Sequence, residues 1–267
     1  IKDFGEEWSL YQYSENDEEN KFIFDQYFDI FPWDHKNLPE FTCLDLGCGT
    51  GRWSKILSTK VKSITLLDPS HKALNIAKKN LEGKSNVTFI NKKFDDVILE
   101  DQSFDFIFSL GVLHHMDNIS LQLKKINKIL KKDGLTLIYL YYRFDNKSLI
   151  FKSIWKISDF LRTIICNLPF KLKSLICNLI ATIVYLPLSY LYKFLKLIKI
   201  NVRSLPLSFY DDKSFYIMRT DSLDRFGTKV ENRFLKTEIE KLLLENGFKD
   251  IVFSPKEPFW HVIAKKK

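Results

Sequence analysis

Three glycines at alternate positions follow a short apolar run, and they form the stretch most suited to binding a ligand. Gly47, Gly49 and Gly51 lie between a run that ends near Asp45 and a helical pattern that begins at Arg52. Strand, glycine turn and helix are typical of a nucleotide-binding α/β unit, because glycine permits a close backbone approach and the helix start offers free N–H groups. The Asp45 carboxylate would repel a pyrophosphate and would suit an ammonium or sulfonium. The pattern therefore favours a cationic ligand over a dinucleotide.

The same stretch, Asp45-Leu46-Gly47-Cys48-Gly49-Thr50-Gly51, resembles motif I of the class I S-adenosyl-L-methionine (SAM)-dependent methyltransferases. The resemblance implies an α/β fold with a Rossmann-like, seven-stranded class I methyltransferase sheet. It also implies SAM as the cofactor, with contacts from Asp45, Gly47, Cys48, Gly49 and Gly51. A flexible glycine turn without a ligand is the alternative, and the placement of the acid argues against it.

An acid follows the second predicted strand, Ser63–Leu67. Asp68 lies 17 residues after Gly51, close to the offset of about 20 residues at which a carboxylate accepts ribose hydroxyls. Because Pro69 comes next, Asp68 could instead cap a helix predicted over Pro69–Leu81, and one residue could do both. We predict that Asp68 and Pro69 contact the cofactor.

The segment after the third predicted strand, Val87–Asn91, is assigned from the resemblance. In class I methyltransferases the adenine lies beside this loop, which implies Phe94 as an apolar wall or backbone donor and Asp95 as the acceptor of the exocyclic amine. Lys93 stands where the family often has an acid, which is a departure from the pattern.

The fourth predicted strand, Ser103–Ser109, and the residues Leu110-Gly111-Val112-Leu113-His114-His115 that follow it resemble motif IV of the same superfamily. The strand should end at the topological switch point, where open α/β sheets bind ligands. The resemblance implies that Leu110 and Gly111 line the methionine side of the cofactor.

His114 and His115 are candidates for a general base, because imidazole titrates near neutral pH and could take the proton of a substrate hydroxyl. Alternatively, one histidine caps the helix predicted over Asn118–Leu130 or packs beneath the cofactor. Adjacent histidines cannot easily face one ion, and no carboxylate or cysteine cluster accompanies them, so no metal is predicted.

The fifth predicted strand, Leu135–Leu140, leads into Tyr141, Tyr142 and Arg143. These residues should face the substrate side of the sheet, and Tyr142 is a third candidate for catalysis. Their alternative role is packing beneath the next segment.

Residues 144–232 interrupt the α/β repeat with an apolar, lysine-flanked block. The stretch Ser174–Tyr192 contains no charged residue, and it is long enough to span a membrane. A single span would place the final strands on the wrong side of the bilayer, and Pro187 should break the run. Two interpretations remain: a helical cap over the active site, which is favoured, or a basic amphipathic hairpin that contacts a membrane through residues 150–200.

Three arginines near the end of this block, Arg219, Arg225 and Arg233, could hold a carboxylate or phosphate. They could also pair with Asp221, Asp224 and Glu231, which is the more common role for a single arginine. The sequence alone leaves both roles open.

The charge composition limits the kinds of partner that the protein can bind. The chain has 41 Lys and Arg against 33 Asp and Glu, a net charge of +8, which permits a membrane surface, nucleic acid or acidic substrate but also fits a lysine-rich bias. No Asn-Pro-Pro-aromatic element follows the fourth strand and no RNA-binding module is visible, so nucleic acid is disfavoured. Four cysteines without a paired framework, and no secretory signal at the start of this sequence, predict reduced thiols in the cytoplasm.

The sequence thus predicts an N-terminal helical lid over 1–40, or a surface helix in its place. It predicts a SAM-binding domain over 41–143 and 233–267, and a helical cap over 144–232. The predicted activity is SAM-dependent methylation of a small, apolar or lipid-linked molecule, with O-methylation favoured, by a cytoplasmic protein. Contact of residues 150–200 with a membrane is compatible with the predicted cap. The alternatives are a nucleic-acid methyltransferase or binder and a non-catalytic SAM-binding protein at a membrane surface.

Overall fold

The computed structural model describes residues 17–144, 147–202, 205–229 and 231–267. The chain divides into two compact units. The first takes in residues up to Arg143 and from Asn232 onward, and the second takes in Phe144–Glu231. The aromatic leader Phe4-Gly5-Glu6-Glu7-Trp8, on which the lid prediction depends, lies outside the described residues.

The described part of the first unit contains a seven-stranded sheet in the order β3-β2-β1-β4-β5-β7-β6. Its strands are β1 Thr42–Leu46, β2 Ser63–Leu67, β3 Val87–Ile90, β4 Phe104–Leu110, β5 Leu130–Tyr139, β6 Phe248–Phe253 and β7 His261–Lys266. Strands β1 to β5 are parallel to one another, and β7 runs antiparallel between β5 and β6. The order reverses between β1 and β4, which places the switch point at their carboxyl ends. The Rossmann-like sheet is confirmed.

The helices in chain order are α1 Asp17–Tyr27, α2 Arg52–Leu57, α3 His71–Asn80, α4 Ile119–Ile129, α5 Leu149–Ile165, α6 Phe170–Ile180, α7 Leu186–Leu197, α8 Phe215–Gly227 and α9 Lys236–Glu245. The N-cap of α4 is Asn118, whose side chain accepts from the Leu121 N–H at 3.0 Å. The suggestion that a histidine caps this helix is therefore wrong.

The described N-terminal residues pack aromatic rings on one face of the sheet. Phe24, Phe28 and Phe31 are buried. The ring centroid of Phe28 lies 5.5 Å from that of Phe108, and that of Phe31 lies 4.7 Å from that of Phe106. Burial of large aromatic side chains is a major source of stability, so this segment belongs to the core of the first unit.

A contact between the half-buried Asp29 and the buried His261 fastens this segment to β7. Asp29 Oδ1 lies 2.8 Å from His261 Nε2, and His261 Nδ1 lies 2.8 Å from the Pro258 carbonyl oxygen. Burial alone would raise the pKa of Asp29, but hydrogen bonds from His261 and Ser254 lower it below its ordinary value.

Removing one partner of this pair should destabilise the protein. We expect Asp29→Ala to lower the free energy of unfolding at pH 7 by about 1–3 kcal/mol, because the buried His261 ring would lose its hydrogen-bond partner. Asp25→Ala is the matched control, since its pair with Lys21 is exposed and should contribute under about 1 kcal/mol. Urea titration gives both values, and equal losses would contradict the assignment. The Asp29 contribution should be present at neutral pH and disappear as the pH falls through the lowered pKa.

In the second unit, α6 and α7 form one continuous helix, Phe170–Leu197, that is long and apolar enough to cross a membrane by length and composition. The prediction that Pro187 breaks this run is wrong. Ala181–Tyr185 forms π-helical turns just before the proline, and the wider turn accommodates the missing N–H and the bulk of the ring.

The arginines of the second unit have structural partners. Arg225 Nη1 lies 2.9 Å from both carboxylate oxygens of Glu231 and 3.5 Å from Asp159 Oδ1. Arg219 Nε donates to Asn178 Oδ1 at 3.0 Å. These contacts favour the structural interpretation of both residues.

The chain leaves and re-enters the first unit at adjacent positions. Tyr142 and Phe234 form a parallel bridge. The Phe234 N–H donates to the Tyr141 carbonyl at 2.8 Å, and the Arg143 N–H donates to the Phe234 carbonyl at 2.9 Å. The two connecting segments are therefore hydrogen-bonded side by side.

Candidate functional site

The glycine turn closes tightly over the end of β2. The Gly47 and Cys48 N–H groups both donate to the Leu67 carbonyl, at 2.8 and 3.2 Å. Gly47, Gly49 and Gly51 all have positive φ, at 78°, 53° and 74°, a region that L-residues with side chains rarely occupy. Cys48 is buried, and burial raises the pKa of its thiol well above the ordinary value, so it is an inert thiol at neutral pH.

Asp45 places a carboxylate beneath this turn. It is 2% exposed, and its Oδ2 accepts from Ser54 Oγ at 2.6 Å. Burial raises the pKa of Asp45 to about 7, and the nearby charge of Asp68 adds to the effect. A cation beside the carboxylate would favour its ionised form.

Asp68 joins the glycine turn to the start of α3. Its Oδ2 accepts from the Gly49 N–H at 2.9 Å and its Oδ1 accepts from the Ser70 N–H at 2.7 Å. Burial raises its pKa even though these two hydrogen bonds lower it. The cap of α3 is Ser70, whose Oγ accepts from the Ala73 N–H at 3.2 Å. The alternative that Asp68 caps a helix beginning at Pro69 is therefore wrong. Pro69 lies exposed between Asp68 and Ser70, and the contacts of Asp68 and Pro69 with the cofactor stay predictions.

Phe94 and Asp95 lie apart from the turn. The Phe94 ring is 2% exposed and packs in the main apolar core, which leaves mainly its backbone to meet a ligand. Asp95 is exposed, and its Oδ1 accepts from Gln122 Nε2 at 2.8 Å. Among the described residues, neither side chain has a hydrogen bond or ring contact with the glycine turn. Their roles at an adenine stay predictions.

Open space lies at the end of β4. Leu110 is half-buried and opposite Tyr139 in the sheet. The next residue, Gly111, has a φ of 77°, and a Cβ built on it would meet no atom within 4 Å. At Gly47, by contrast, such a Cβ would lie 2.4 Å from Val112 Cγ2. A side chain at Gly111 would therefore enter open space, whereas one at Gly47 would not.

The two histidines lie on a 3₁₀ turn, Leu113–His115, against Tyr141. The His114 ring is fully buried and stacks on that of Tyr141 at a centroid distance of 3.8 Å. Neither of its ring nitrogens has a hydrogen-bond partner in the described structure. Burial lowers the pKa of His114 well below its ordinary value. It is therefore neutral at pH 7 and a weak proton acceptor. His115 is half-exposed beside it, with the two ring centroids 4.1 Å apart.

Tyr142 is placed differently from Tyr141. Its ring packs 5.6 Å from that of Phe259 and 6.3 Å from that of Trp260, at the edge of the main core. The structure thus brings Tyr141 rather than Tyr142 into ring contact with the histidines.

Sequence analysis missed the other aromatic residues of this group. The Tyr27 ring lies 5.1 Å from that of Tyr139 and 5.8 Å from that of Trp53, and Tyr139 lies 5.8 Å from Tyr141. The Arg233 guanidinium lies 5.1 Å from the centre of the Tyr141 ring. Local spacing carries no signal for contacts that join α1, α2 and β5.

These features fit SAM. The buried Asp45 carboxylate suits a cationic ligand, and the open volume at Gly111 lies at the switch point where class I enzymes bind. The Asp68 oxygens each retain a second lone pair that could accept a ribose hydroxyl. No group of three or more His, Cys, Asp or Glu side chains in the described ranges is arranged to hold a metal ion.

Residues 44–138 match the family model for a methyltransferase domain. The chain is 30% identical over 105 residues to the ubiquinone biosynthesis O-methyltransferase of Pelagibacter ubique (strain HTCC1062), which covers 39% of this chain and 43% of that protein. It is 31% identical over 97 residues to the demethylmenaquinone methyltransferase of Staphylococcus aureus (strain MRSA252), covering 35% and 40% respectively. The matched part of the chain spans less than half the length of these curated relatives.

Among solved structures, a proposed SAM-dependent methyltransferase from Listeria monocytogenes superposes with a TM-score of 0.54 at 15% identity, covering 93% of this chain and 98% of that one. At this identity the likeness shows the fold. SAM is the cofactor of the superfamily that shares this fold and motif I, as the sequence predicts. The sheet order, the glycine turn and the matched family model agree: residues 44–138 form a methyltransferase domain, on the Rossmann-like sheet of the class I SAM-dependent methyltransferases.

Proposed function

We propose that this protein transfers the methyl group of SAM to a small, apolar or lipid-linked acceptor, with oxygen as the favoured acceptor atom. The observation that carries the proposal is the buried Asp45 carboxylate beneath the glycine turn. A buried carboxylate is costly unless a cation neutralises it, and SAM carries an ammonium and a sulfonium. Bound SAM would supply an electrophilic methyl group.

The chain's own contribution is chiefly to bind and orient. Asp45 attracts the cationic part of the cofactor, Asp68 accepts hydroxyls, and Gly47, Gly49 and Gly51 let the backbone approach closely. Gly111 leaves the space in which cofactor and acceptor meet. Holding the reactants in line accounts for most of the rate in a transfer of this kind.

The aromatic group supports an aromatic or lipid-like acceptor. Tyr27, Tyr139 and Tyr141 lie in one continuous set of ring contacts at the carboxyl end of β5, and such faces suit stacking with a ring. The names of both relatives refer to a quinone, and the reduced form of such a quinone is a phenol with an apolar tail.

Among the candidate bases, we propose His115 for an acceptor with a hydroxyl group. We expect His115→Gln to lower kcat by about 100-fold with little change in the dissociation constant of SAM, because the imidazole would accept the hydroxyl proton during transfer. His114→Gln should chiefly affect stability, since that ring is buried and weakly basic. Tyr142→Phe should leave kcat unchanged. A drop in kcat for Tyr142→Phe alone would assign the base to Tyr142 instead.

Two measurements test the function itself. Calorimetry should show binding of SAM and of S-adenosylhomocysteine, and methyl-labelled SAM incubated with cell extract should label a product that partitions into organic solvent. Heat with NAD but none with either adenosine ligand would overturn the proposal. Label confined to RNA or DNA would support the nucleic-acid alternative, and binding without any transfer would support a non-catalytic SAM-binding protein.

We further propose that the protein acts in the cytoplasm at a membrane surface, through residues 150–200. The helical cap over the active site also stays a proposal. Residues 147–200 carry most of the net positive charge and also expose many apolar side chains. This combination favours a membrane over nucleic acid as the anionic partner.

A further inference from the structure

The second unit combines strong positive charge with exposed apolar side chains. Between residues 147 and 200 there are nine Lys or Arg residues and one acidic residue, Asp159, a net charge of +8 that equals that of the whole chain. The exposed lysines include Lys156, Lys171, Lys193 and Lys199. Such a concentration of one charge is typical of a surface that meets an anionic partner.

One face of α5 exposes large apolar side chains at helical spacing. They recur every three or four positions, as Leu149, Ile150, Ile154, Ile157, Phe160, Leu161 and Ile164. Leu149 is 81% exposed and Phe160 is 67% exposed. Single exposed apolar residues need no explanation, but an apolar stripe along a whole helix indicates an interaction surface. We call these seven residues the α5 stripe.

A second stripe follows the continuous helix of α6 and α7. We call it the α6–α7 stripe, and its exposed residues are Leu172, Leu175, Leu179, Ile183, Tyr190, Leu191, Phe194 and Leu197. The other side of the helix is held by α8: Ser222 Oγ donates to the Cys177 carbonyl at 2.9 Å, and Lys173 Nζ donates to the Gly227 carbonyl at 3.0 Å. This helix therefore has one side fixed to the protein and one apolar side facing outward.

The polar contacts on the fixed side decide how the helix can meet a bilayer. Arg219 of α8 donates to Asn178 at 3.0 Å, and Lys196 forms an ion pair with Asp211. If the helix crossed the bilayer, these groups would enter the hydrocarbon with it, which is costly. A helix that lies in the plane of the interface buries only its apolar stripe and leaves the polar contacts on the protein side.

We propose that the α5 stripe and the α6–α7 stripe dock this protein in the plane of an anionic membrane surface, with the exposed lysines on acidic headgroups. Charge complementarity selects this occupant. Two copies of a surface with a charge of +8 would repel each other, and a nucleic acid would leave both apolar stripes in water. The docking does not depend on methyl transfer, so it can be measured without cofactor.

Vesicle flotation of the full chain tests the docking. The protein should float with vesicles of phosphatidylcholine mixed with phosphatidylglycerol and should remain at the bottom with phosphatidylcholine alone. Binding should fall at least about tenfold between low and high salt, because exposed lysines act through a screened field. Equal binding to both vesicle types, or no flotation with either, would overturn the proposal.

Serine substitutions separate the two stripes. We expect Leu175→Ser/Leu179→Ser/Ile183→Ser and Ile157→Ser/Phe160→Ser/Ile164→Ser each to weaken vesicle binding at least about tenfold. All six residues are at least 49% exposed, so circular dichroism should be unchanged. The matched control is Leu121→Ser/Leu244→Ser, which removes two exposed leucines of the first unit and should float like the parent protein.

Two further outcomes would count against the proposal. Protein that resists alkaline carbonate extraction from membranes would span the bilayer rather than lie on it. A concentration-dependent dimer in light scattering that the serine variants dissolve, without any vesicle binding, would make a second copy the occupant. Release by carbonate and a monomer without vesicles would support in-plane docking.

Discussion

Asp45→Asn should weaken SAM binding at pH 8 by about 10- to 100-fold, the loss expected for a charge-assisted contact, while it stabilises the cofactor-free protein. The parent carboxylate must ionise in a buried site to attract the cation. Asparagine keeps the shape and can still accept from Ser54, but it carries no charge at any pH.

The effect on stability has a defined pH dependence. Because the pKa of Asp45 is raised to about 7 in the folded state, the carboxyl favours folding while it stays protonated. That contribution is lost as the pH rises from the unfolded value of about 4 through 7. At pH 8 the asparagine variant should therefore be more stable by up to about 4 kcal/mol, and the difference should vanish near pH 4. Urea titrations across this range measure it.

The same ionisation should govern cofactor affinity. For the parent protein, the dissociation constant of SAM should rise about tenfold between pH 8 and pH 6, as Asp45 becomes protonated. Asp45→Asn should lose this dependence. Asp34→Asn, which changes an exposed carboxylate, is the control and should alter neither quantity. If Asp45→Asn bound SAM as tightly as the parent at pH 8, the role assigned to this carboxylate would be wrong.

Gly47→Ala should destabilise the protein by about 2–5 kcal/mol, the sum of strain at positive φ and overpacking. Its Cβ would lie 2.4 and 2.7 Å from the two Cγ atoms of Val112, and a β-branched side chain cannot easily move aside. Val112→Ala removes both Cγ atoms, so the double variant should recover the overpacking part. No recovery in thermal or urea unfolding would show that the backbone, rather than the contact with Val112, requires glycine there.

Two other glycines provide the comparison. Gly83 and Gly111 have positive φ at 79° and 77°, and a Cβ on either would meet no atom within 4 Å. Alanine at either position should therefore cost only the backbone strain, about 1–2 kcal/mol. Gly111→Ala should also weaken SAM binding, because its methyl group would occupy the open space at the end of β4. Gly83→Ala should bind SAM normally.

The sheet and the cofactor turn could be predicted because their signals are local. Motif I places a carboxylate and three glycines within seven residues, and apolar runs at regular spacing mark the strands on either side. The start of β5 is harder to predict from the sequence. It begins at Leu130 instead of Leu135, because Leu130 pairs with Phe104 across a register shift in β4, and a lysine-rich sequence gives no sign of that pairing.

The rest of the site depends on contacts between distant parts of the chain. The sequence predicts that Asp68 contacts the cofactor, with a helix cap as the alternative, but it gives no sign that the Asp68 oxygens accept from Gly49 as well as Ser70, because only the fold brings Gly49 within reach. Tyr27 approaches Tyr139 because α1 packs across the sheet, which no local pattern specifies. The sequence predicts that Pro187 ends a helix. The π-helical turn before it accommodates the proline ring, and helix propensity alone does not predict that turn.

The paired connection between Tyr142 and Phe234 has a consequence for the ancestry of this chain. Since the segments that lead into and out of the helical unit are hydrogen-bonded in parallel, a crossover of about a dozen residues could replace everything between them without reordering any strand. A compact methyltransferase could thus have gained this basic, apolar attachment in one genetic event. The helical unit and the sheet unit could then diverge at independent rates.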